Sequence, residues 1–253
     1  MTISMLTQTL KKITKKLIIV FVWLGIWQIL SAVVGLSVLL PSPVATAVEL
    51  KNLAVTKDFW ISVILSVCRI SAGFAAGVVS GVIAGSFSAI SKTVNEFLSP
   101  LVSIIKATPV ASFIILAVIW FKTGNIPSFA TALIVFPFVY SNIRTGIKET
   151  DRNLTEMASA FNVPFGRKLL RLYIPSVRPY FISASTTAIG LAWKAGIAAE
   201  VICNPTMSIG NGIYEAKVYF EPVSMFAWTT VVVILSIIIE NLIKSVLKRG
   251  IKK

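Results

Sequence analysis

Residues 61–90 read ISVILSVCRISAGFAAGVVSGVIAGSFSAI, and Arg69 is the single charged side chain among them. A helix needs about 20 mostly apolar residues to cross the hydrocarbon core of a bilayer, and this stretch is long enough to do so. The whole chain agrees in composition, because 56% of its 253 residues are apolar and only 13% are charged. Soluble domains carry roughly 25% charged residues. The stretch therefore predicts a membrane-spanning helix.

Five further segments share this length and apolar character. The predicted spans are about Leu17–Leu39, Ile61–Ile90, Leu101–Phe121, Phe129–Ile147, Val177–Cys203 and Val223–Ile243. They predict an all-α integral membrane protein with six transmembrane helices in a single domain, residues 1–253. The mixed stretch Pro41–Trp60, between the first two spans, is predicted to be an interfacial helix or a loop.

The basic residues predict how the spans are oriented. The chain has a net charge of +14, and most of its Lys and Arg residues cluster in alternate connections between the apolar runs. Because Lys and Arg accumulate in cytoplasmic loops, both termini are expected in the cytoplasm. Four lysines are then left outside: Lys51, Lys57, Lys122 and Lys217. No compact basic domain is visible, so a nucleic-acid partner is not expected.

A ladder of glycines occupies every fourth position of the second predicted span. Its members are Gly73, Gly77, Gly81 and Gly85. Residues at this spacing lie near one helix face, and small side chains there let another helix approach closely. Packing within one subunit is the simpler interpretation, and a subunit contact or a moving gate surface is the alternative.

The predicted cytoplasmic loop of residues 149–176 begins with a short amphipathic helix. Thr150 or Asp151 can cap the start of this helix. An apolar stripe follows at positions i, i+3, i+4 and i+7. The stripe consists of Leu154, Met157, Ala158 and Phe161.

The same loop contains features that end the helix and set its polar side. Glu156 points nearly opposite the centre of the apolar stripe. Asn162 can adopt the left-handed conformation that ends a helix, and Pro164 prevents continuation. A second short helix is predicted over Phe165–Tyr173, with Pro175 before the fifth span. The residues alone leave open an interfacial loop held to anionic lipids by its basic side chains.

This loop also resembles the EAA loop of binding-protein-dependent ABC transporter permeases. The family pattern is Glu-Ala-Ala, three residues, Gly, nine residues, Ile, one residue and Leu-Pro. The chain has, at the same spacing, Glu156-Met157-Ala158-Ser159-Ala160-Phe161-Asn162, nine residues and then Leu172-Tyr173-Ile174-Pro175. Met157 stands in place of the second Ala, and Asn162 in place of Gly. Shorter motifs, such as Ala192-Trp193 leading to Ala199-Glu200, are similar to the nitrate, sulfonate and taurine branch.

The resemblance implies a type I importer permease fold, in which the loop forms a coupling helix that docks in a groove of a cytosolic ATPase subunit. Closure of two ATPases around ATP would then move two permeases between inward-open and outward-open states. By analogy, Glu156 would pair with a basic group of the ATPase, Ala158 would allow close seating, and Met157 would alter that seating. Asn162 would make the turn, and Pro175 would fix the exit toward the fifth span.

The resemblance also implies partners and a location. The partners are the ATPase, an extracytoplasmic solute-binding protein, a second permease copy in a homodimer, and the lipid of the bacterial cytoplasmic (inner) membrane. The chain itself is expected not to be an enzyme, because it has no His and no Gly-x-x-x-x-Gly-Lys-Ser/Thr phosphate loop. It is expected to bind no cofactor or metal, and Mg-ATP would be used by the ATPase. Cys68 and Cys203 are expected to be packing residues.

Charged residues inside spans are costly and are candidates for function. Lys106, Lys194 and Glu200 are predicted to line a translocation pathway. Lys106 alternatively extends to the cytoplasmic surface, and Lys194 alternatively pairs with another helix. Glu200 lies six residues after Lys194, on a different face, so the two are not expected to pair. Arg69 is expected to anchor at the outer interface.

The substrate class remains open among several possibilities. Pathway lysines favour an anionic solute, and the resemblance implies nitrate, sulfonate, taurine or bicarbonate. Vitamins or their precursors, such as a thiamine pyrimidine or riboflavin, are carried by related permeases and stay an alternative. An ion-coupled secondary carrier is the alternative class. The predicted external loop of residues 204–222 either docks the solute-binding protein or merely connects two spans.

Overall fold

The structure, a computed structural model, describes the backbone of residues 3–249 and the side chains of residues 14, 15 and 17–245. Every regular element in this part of the chain is helical, which confirms the all-α prediction. The α-helices are α1 (Ile3–Val34), α2 (Pro43–Val55), α3 (Lys57–Ile90), α4 (Lys92–Ala107), α5 (Val110–Trp120), α6 (Ile126–Lys148), α7 (Arg152–Ala160), α8 (Phe165–Lys168), α9 (Ile174–Cys203), α10 (Ile209–Val218) and α11 (Pro222–Arg249). A 3-10 turn (Thr123–Asn125) precedes α6, and a π-helix (Leu169–Tyr173) joins α8 to α9.

Five helical segments of the described chain are long and apolar enough to cross a membrane. The pair α4 and α5 gives a sixth span if it crosses as one unit, although its two helices meet at 106°. The segment predicted as the third span, Leu101–Phe121, is therefore not one helix. Proline explains the break, because Pro109 cannot donate a backbone hydrogen bond and disfavours helical geometry in the residue before it. Thr108 accordingly has φ −83° and ψ 131°.

The first span ends earlier than the predicted residue, Leu39. α1 ends at Val34, and Gly35 follows with φ +66°, the left-handed geometry of a helix C-terminus. Trp27 then donates from Nε1 to the carbonyl of Pro41 at 3.0 Å, which folds the chain back along α1. The mixed stretch after it forms α2, whose start is capped by Ser42.

The predicted gap between the second loop helix and the fifth span is absent. α8, the π-helix and α9 form one continuous helical segment of 39 residues, Phe165–Cys203. Pro175 is accommodated because it lies in the first turn of α9, directly after the π-helix. There the Ile174 N–H bonds to the carbonyl of Leu169, five residues back, in the wider π pattern.

The described residues form two compact units. The first contains the residues up to Trp60 together with Gly212–Val231, and the second contains Ile61–Asn211 together with the residues from Val232 onward. Aromatic packing characterises the first unit, where the ring centroids of Phe59 and Trp228 are 5.1 Å apart. The single permease domain over residues 1–253 stays a prediction.

The core of the second unit lies along α6. One buried cluster combines apolar residues of α6 with residues of α9, namely Val135, Val139, Ile143, Ala184, Ala188, Ile189 and Ala192. Small residues dominate on the α9 side, which lets the two helix backbones approach closely.

The glycine ladder of α3 packs against α6 within the chain. A Cβ atom added at Gly77 would lie 2.7 Å from Cβ of Val135, and one at Gly81 would lie 2.8 Å from Cβ of Val139. Both distances are far too short for carbon atoms. The glycines therefore allow the α3–α6 contact within the chain, and a subunit contact or gate surface stays an untested alternative.

Candidate functional site

Two places in the second unit contain the residues singled out from the sequence. The first is the loop between α6 and α9. Asp151 caps α7, since its side chain accepts a hydrogen bond from the Asn153 N–H at 2.8 Å. Thr150, the other candidate cap, is buried and donates instead to the carbonyl of Gly146 at 3.2 Å.

Asn162 ends α7 in the left-handed conformation that its sequence position predicted. Its φ is +50°, and the two hydrogen bonds of a Schellman motif surround it. The Asn162 N–H bonds to the carbonyl of Ser159 at 3.0 Å, and the Val163 N–H bonds to that of Ala158 at 2.9 Å. The turn is thus made by backbone groups, with Asn in the place where a helix end usually has Gly.

The apolar stripe of α7 is largely exposed in the part of the chain that the structure describes. None of the residues of α7 is buried, and Met157 and Phe161 expose 52% and 77% of their area. Glu156 is also exposed, and its Oε1 lies 2.7 Å from Nε of Arg152, one turn earlier. Exposed apolar residues beside an accessible carboxylate are typical of an interaction surface.

The second place is a cavity of about 450 Å³ at the break between α4 and α5. Its lining comes from α4, α5, α6 and α9: Ile105, Lys106, Thr108, Val110, Phe113, Leu133, Ile134, Pro137, Phe138 and Leu191. Most of these side chains are apolar, none is acidic, and Lys106 is the one with a full charge.

Lys106 is held at the edge of this cavity by α6. Its Nζ donates to Oγ of Ser141 at 2.7 Å. Lys194 is exposed on α9, three residues and so one turn beyond the cavity residue Leu191. Ser183 and Thr187 are exposed on the same α9 face, one turn apart. Lys106 therefore lines this cavity and Lys194 is not among its lining residues, while the role predicted for the two lysines in a pathway remains a prediction.

Glu200 is placed differently from these two lysines. Its side chain is fully buried, and its Oε2 accepts hydrogen bonds from Oγ of Ser66 at 2.7 Å and from the Gly210 N–H at 3.2 Å. Its Oε1 lies 3.7 Å from NH1 of Arg69. This geometry favours a structural role, tying α3 and α9 to the start of α10, over the predicted position in a pathway.

Arg69 has protein partners that the sequence did not indicate. Besides Glu200, its guanidinium donates to the carbonyls of Thr206 and Met207 at 3.3 and 3.2 Å. Ser66, one turn before Arg69 on α3, was also missed, although residues three apart on a helix are neighbours. Arg69 thus makes a hydrogen-bonded link to the loop after α9, and the interface anchor expected for it stays a prediction.

A helical membrane protein with an uncovered amphipathic helix in one connection and a cavity at a broken span has the features of a membrane transport component. Comparison with known proteins gives the class. Residues 77–253 match the family described as "binding-protein-dependent transport system inner membrane component". The chain belongs to this family and is an ABC transporter permease.

The chain is similar over most of its length to proteins named as transport permeases. It is 22% identical over 240 residues to the putative aliphatic sulfonates transport permease protein SsuC of Bacillus subtilis, covering 94% of this chain and 87% of that one. The corresponding protein of Escherichia coli is 30% identical over 192 residues, with 75% and 71% covered. The nitrate import permease protein NrtB of Synechococcus elongatus is 23% identical over 207 residues, with 77% and 73% covered.

Proposed function

We propose that the chain is the permease subunit of an ATP-driven importer for a small anionic solute, coupled to a separate ATPase through α7. The observation that carries the proposal is the uncovered surface of α7, with its exposed apolar stripe and the accessible Glu156 carboxylate. No residue of α7 is buried among the described residues, and an exposed apolar face of this kind favours contact with a partner.

The anionic substrate class is supported by the cavity and by the relatives. Lys106 brings positive charge to a cavity whose lining contains no acidic residue, and Lys194 is exposed one turn beyond the lining residue Leu191. The relatives are named as permeases for sulfonates, nitrate and bicarbonate, all of which are small anions. In this proposal both termini and α7 lie in the cytoplasm of a bacterial cell, two copies of the chain form the pathway, and a solute-binding protein delivers the solute.

Affinity purification of the tagged chain from its native membranes, with mass spectrometry of the co-eluting proteins, tests the proposal. The wild type is expected to retain an ATPase and a solute-binding protein, and the Glu156→Arg variant is expected to lose the ATPase. Glu96→Arg is a matched control, because Glu96 is also exposed and also paired with a cation one turn away, Lys92. Absence of any ATPase from the wild type, or equal loss in both variants, would refute the coupling role of α7.

The source of energy separates the importer from an ion-coupled carrier. Uptake of the solute into cells is expected to stop when ATP is depleted and to survive an ionophore that collapses the ion gradients. The reverse pattern would assign the chain to a secondary transport mechanism.

A further inference from the structure

The face of α6 that lines the cavity continues beyond it toward Lys148. Ser141, Arg144 and Lys148 follow Pro137 at steps of four, three and four residues. At about 100° per residue, all three lie within about 40° of Pro137 around the helix axis. They form one stripe with the cavity lining, which we term the α6 cationic stripe. The α3 glycines pack against Val135 and Val139, on the opposite side of α6.

Arg144 in this stripe has a donor that lacks an acceptor. Its Nε is buried and has no hydrogen-bond partner among the described residues. No carboxylate of the described residues forms an ion pair with it. An unpaired buried donor is costly, and more so on a charged group. The position therefore favours an acceptor that the described residues do not supply.

Ser141 connects Arg144 to the cavity. Its hydroxyl oxygen accepts the hydrogen bond from Lys106 at 2.7 Å, which leaves its own hydrogen free to be donated. Ser141 and Arg144 are three residues apart and so are neighbours on the helix surface. Lys106, Ser141 and Arg144 together present an ammonium, a hydroxyl and a guanidinium, all of which can donate hydrogen bonds.

We propose that Lys106, Ser141 and Arg144 form a transient binding site for a small oxyanion within the membrane part of this chain. The ligand class is an anion with several oxygen atoms sharing one negative charge, since a guanidinium binds such groups with two parallel hydrogen bonds. The inference rests on the proposed function, for which it provides a site between the cavity and the Lys148 end of α6. Conduction requires weak binding, because the solute must also leave.

The same donor groups could instead hold the phosphate of an anionic lipid. Basic residues near the cytoplasmic end of a span attract such lipids. Both ligands are oxyanions, so the test must separate a soluble anion from a headgroup. Reconstitution of the full chain in bilayers of neutral phosphatidylcholine, with and without phosphatidylglycerol, provides that separation.

Thiol reactivity at position 141 measures whether a soluble anion reaches the site. Cys68 and Cys203 are first replaced by Ala, and Ser141→Cys is introduced. The variant is treated with two methanethiosulfonate reagents, one bearing a sulfonate and one a trimethylammonium group, each normalised to its rate with a free thiol in solution. The sulfonate reagent is expected to be favoured, and Arg144→Gln is expected to reduce this preference by about tenfold through loss of one nearby charge. Arg144→Lys should retain most of it.

Two controls identify failures unrelated to the site. Val139→Cys is on the opposite face of α6 and fully buried, so it should react with neither reagent. Lys92→Gln removes an exposed cation from α4, the helix that also contains Lys106. This change should leave the preference for the sulfonate reagent unchanged. Size-exclusion chromatography of every variant establishes that it is folded.

Each outcome has a definite meaning. A preference for the sulfonate reagent in neutral bilayers that falls with Arg144→Gln supports the oxyanion site, and protection by excess nitrate supports it further. Equal reaction with both reagents, no reaction at all, or an effect of Arg144→Gln only when phosphatidylglycerol is present overturns it. Co-purification of the ATPase is a separate measurement, so the site can fail while the proposed function stands.

Discussion

At the scale of single residues, the hydrogen bonds around Glu200 show how a buried polar side chain is accommodated inside a span. The carboxylate accepts hydrogen bonds from Ser66 and from the backbone of Gly210, and Arg69 lies beside it. Removing one partner of such a group leaves the others buried and unpaired, which costs more than the net contribution of the pair.

Glu200→Ala is therefore expected to destabilise the chain by about 3 kcal/mol. Glu200→Gln keeps an acceptor for Ser66 and Gly210, so its cost should be clearly smaller. Thermal unfolding of the two variants in the same detergent measures this difference. Equal midpoints for wild type and Glu200→Ala would show that the network contributes nothing to stability.

Asn162 gives a second prediction at this scale. Its φ of +50° is easily adopted by Gly and costs a branched residue roughly 1–2 kcal/mol. Asn162→Gly should leave co-purification of the ATPase intact, while Asn162→Val should weaken it because α7 would end differently. Retention of the ATPase by Asn162→Val would show that the turn is not needed for docking.

At the scale of helices, α6 has two sides with different tasks. One side receives the glycines of α3, and the other lines the cavity with Pro137 and continues to Arg144. Tight packing on the first side holds the helix in place for the second, since packed interiors tolerate little change in volume.

Gly77→Ala tests this packing. The added Cβ would lie 2.7 Å from Cβ of Val135 and 2.8 Å from the carbonyl oxygen of Ala132. The helices would have to separate, at a cost of about 1–3 kcal/mol. Gly25→Ala in α1 is the matched control, because nothing lies within 4 Å of its added Cβ. Thermal unfolding midpoints should fall for Gly77→Ala and not for Gly25→Ala.

The positions of helices were predictable from the sequence where a long apolar run defines a span. Contacts between helices that are distant in sequence were not. α6 at Ile126–Lys148 is close to the predicted span, and Asn162 ends α7 as its residue type indicated. The pairing of Arg69 with Glu200 was not predictable, because the two are far apart in sequence and their helices meet only in the fold. Arg144 was not singled out from the sequence for another reason, since it lies close to the end of the predicted span Phe129–Ile147, beside the basic residues of the next connection.

At the scale of the whole molecule, the bent pair α4–α5 decides how many times the chain crosses the membrane. α5 has 11 residues, about 16 Å at 1.5 Å per residue, which is roughly half of the hydrocarbon core. Only together with part of α4 can it complete a crossing. Six crossings place the two termini on the same side, and five place them on opposite sides.

Reporter fusions determine this number. A fluorescent protein that folds only in the cytoplasm should be bright at either terminus of the chain, because the basic residues favour a cytoplasmic location for both. The same reporter inserted after Lys122 should be dark, since that position follows α5. A bright N-terminal fusion with a dark C-terminal one would establish five crossings and leave α4–α5 as a re-entrant segment.

The contact between Arg152 and Glu156 has a consequence for how the proposed ATPase would be recognised. The carboxylate of Glu156 already forms an ion pair within its own helix, with Arg152 at 2.7 Å. A basic group of the ATPase would therefore exchange one ion pair for another, with little net electrostatic gain. Affinity would then come from the apolar stripe with Met157 and Phe161, while the charge would govern orientation and partner choice. The affinity of such a complex would depend little on salt concentration. After release of the ATPase, the Glu156 carboxylate would still be paired with Arg152.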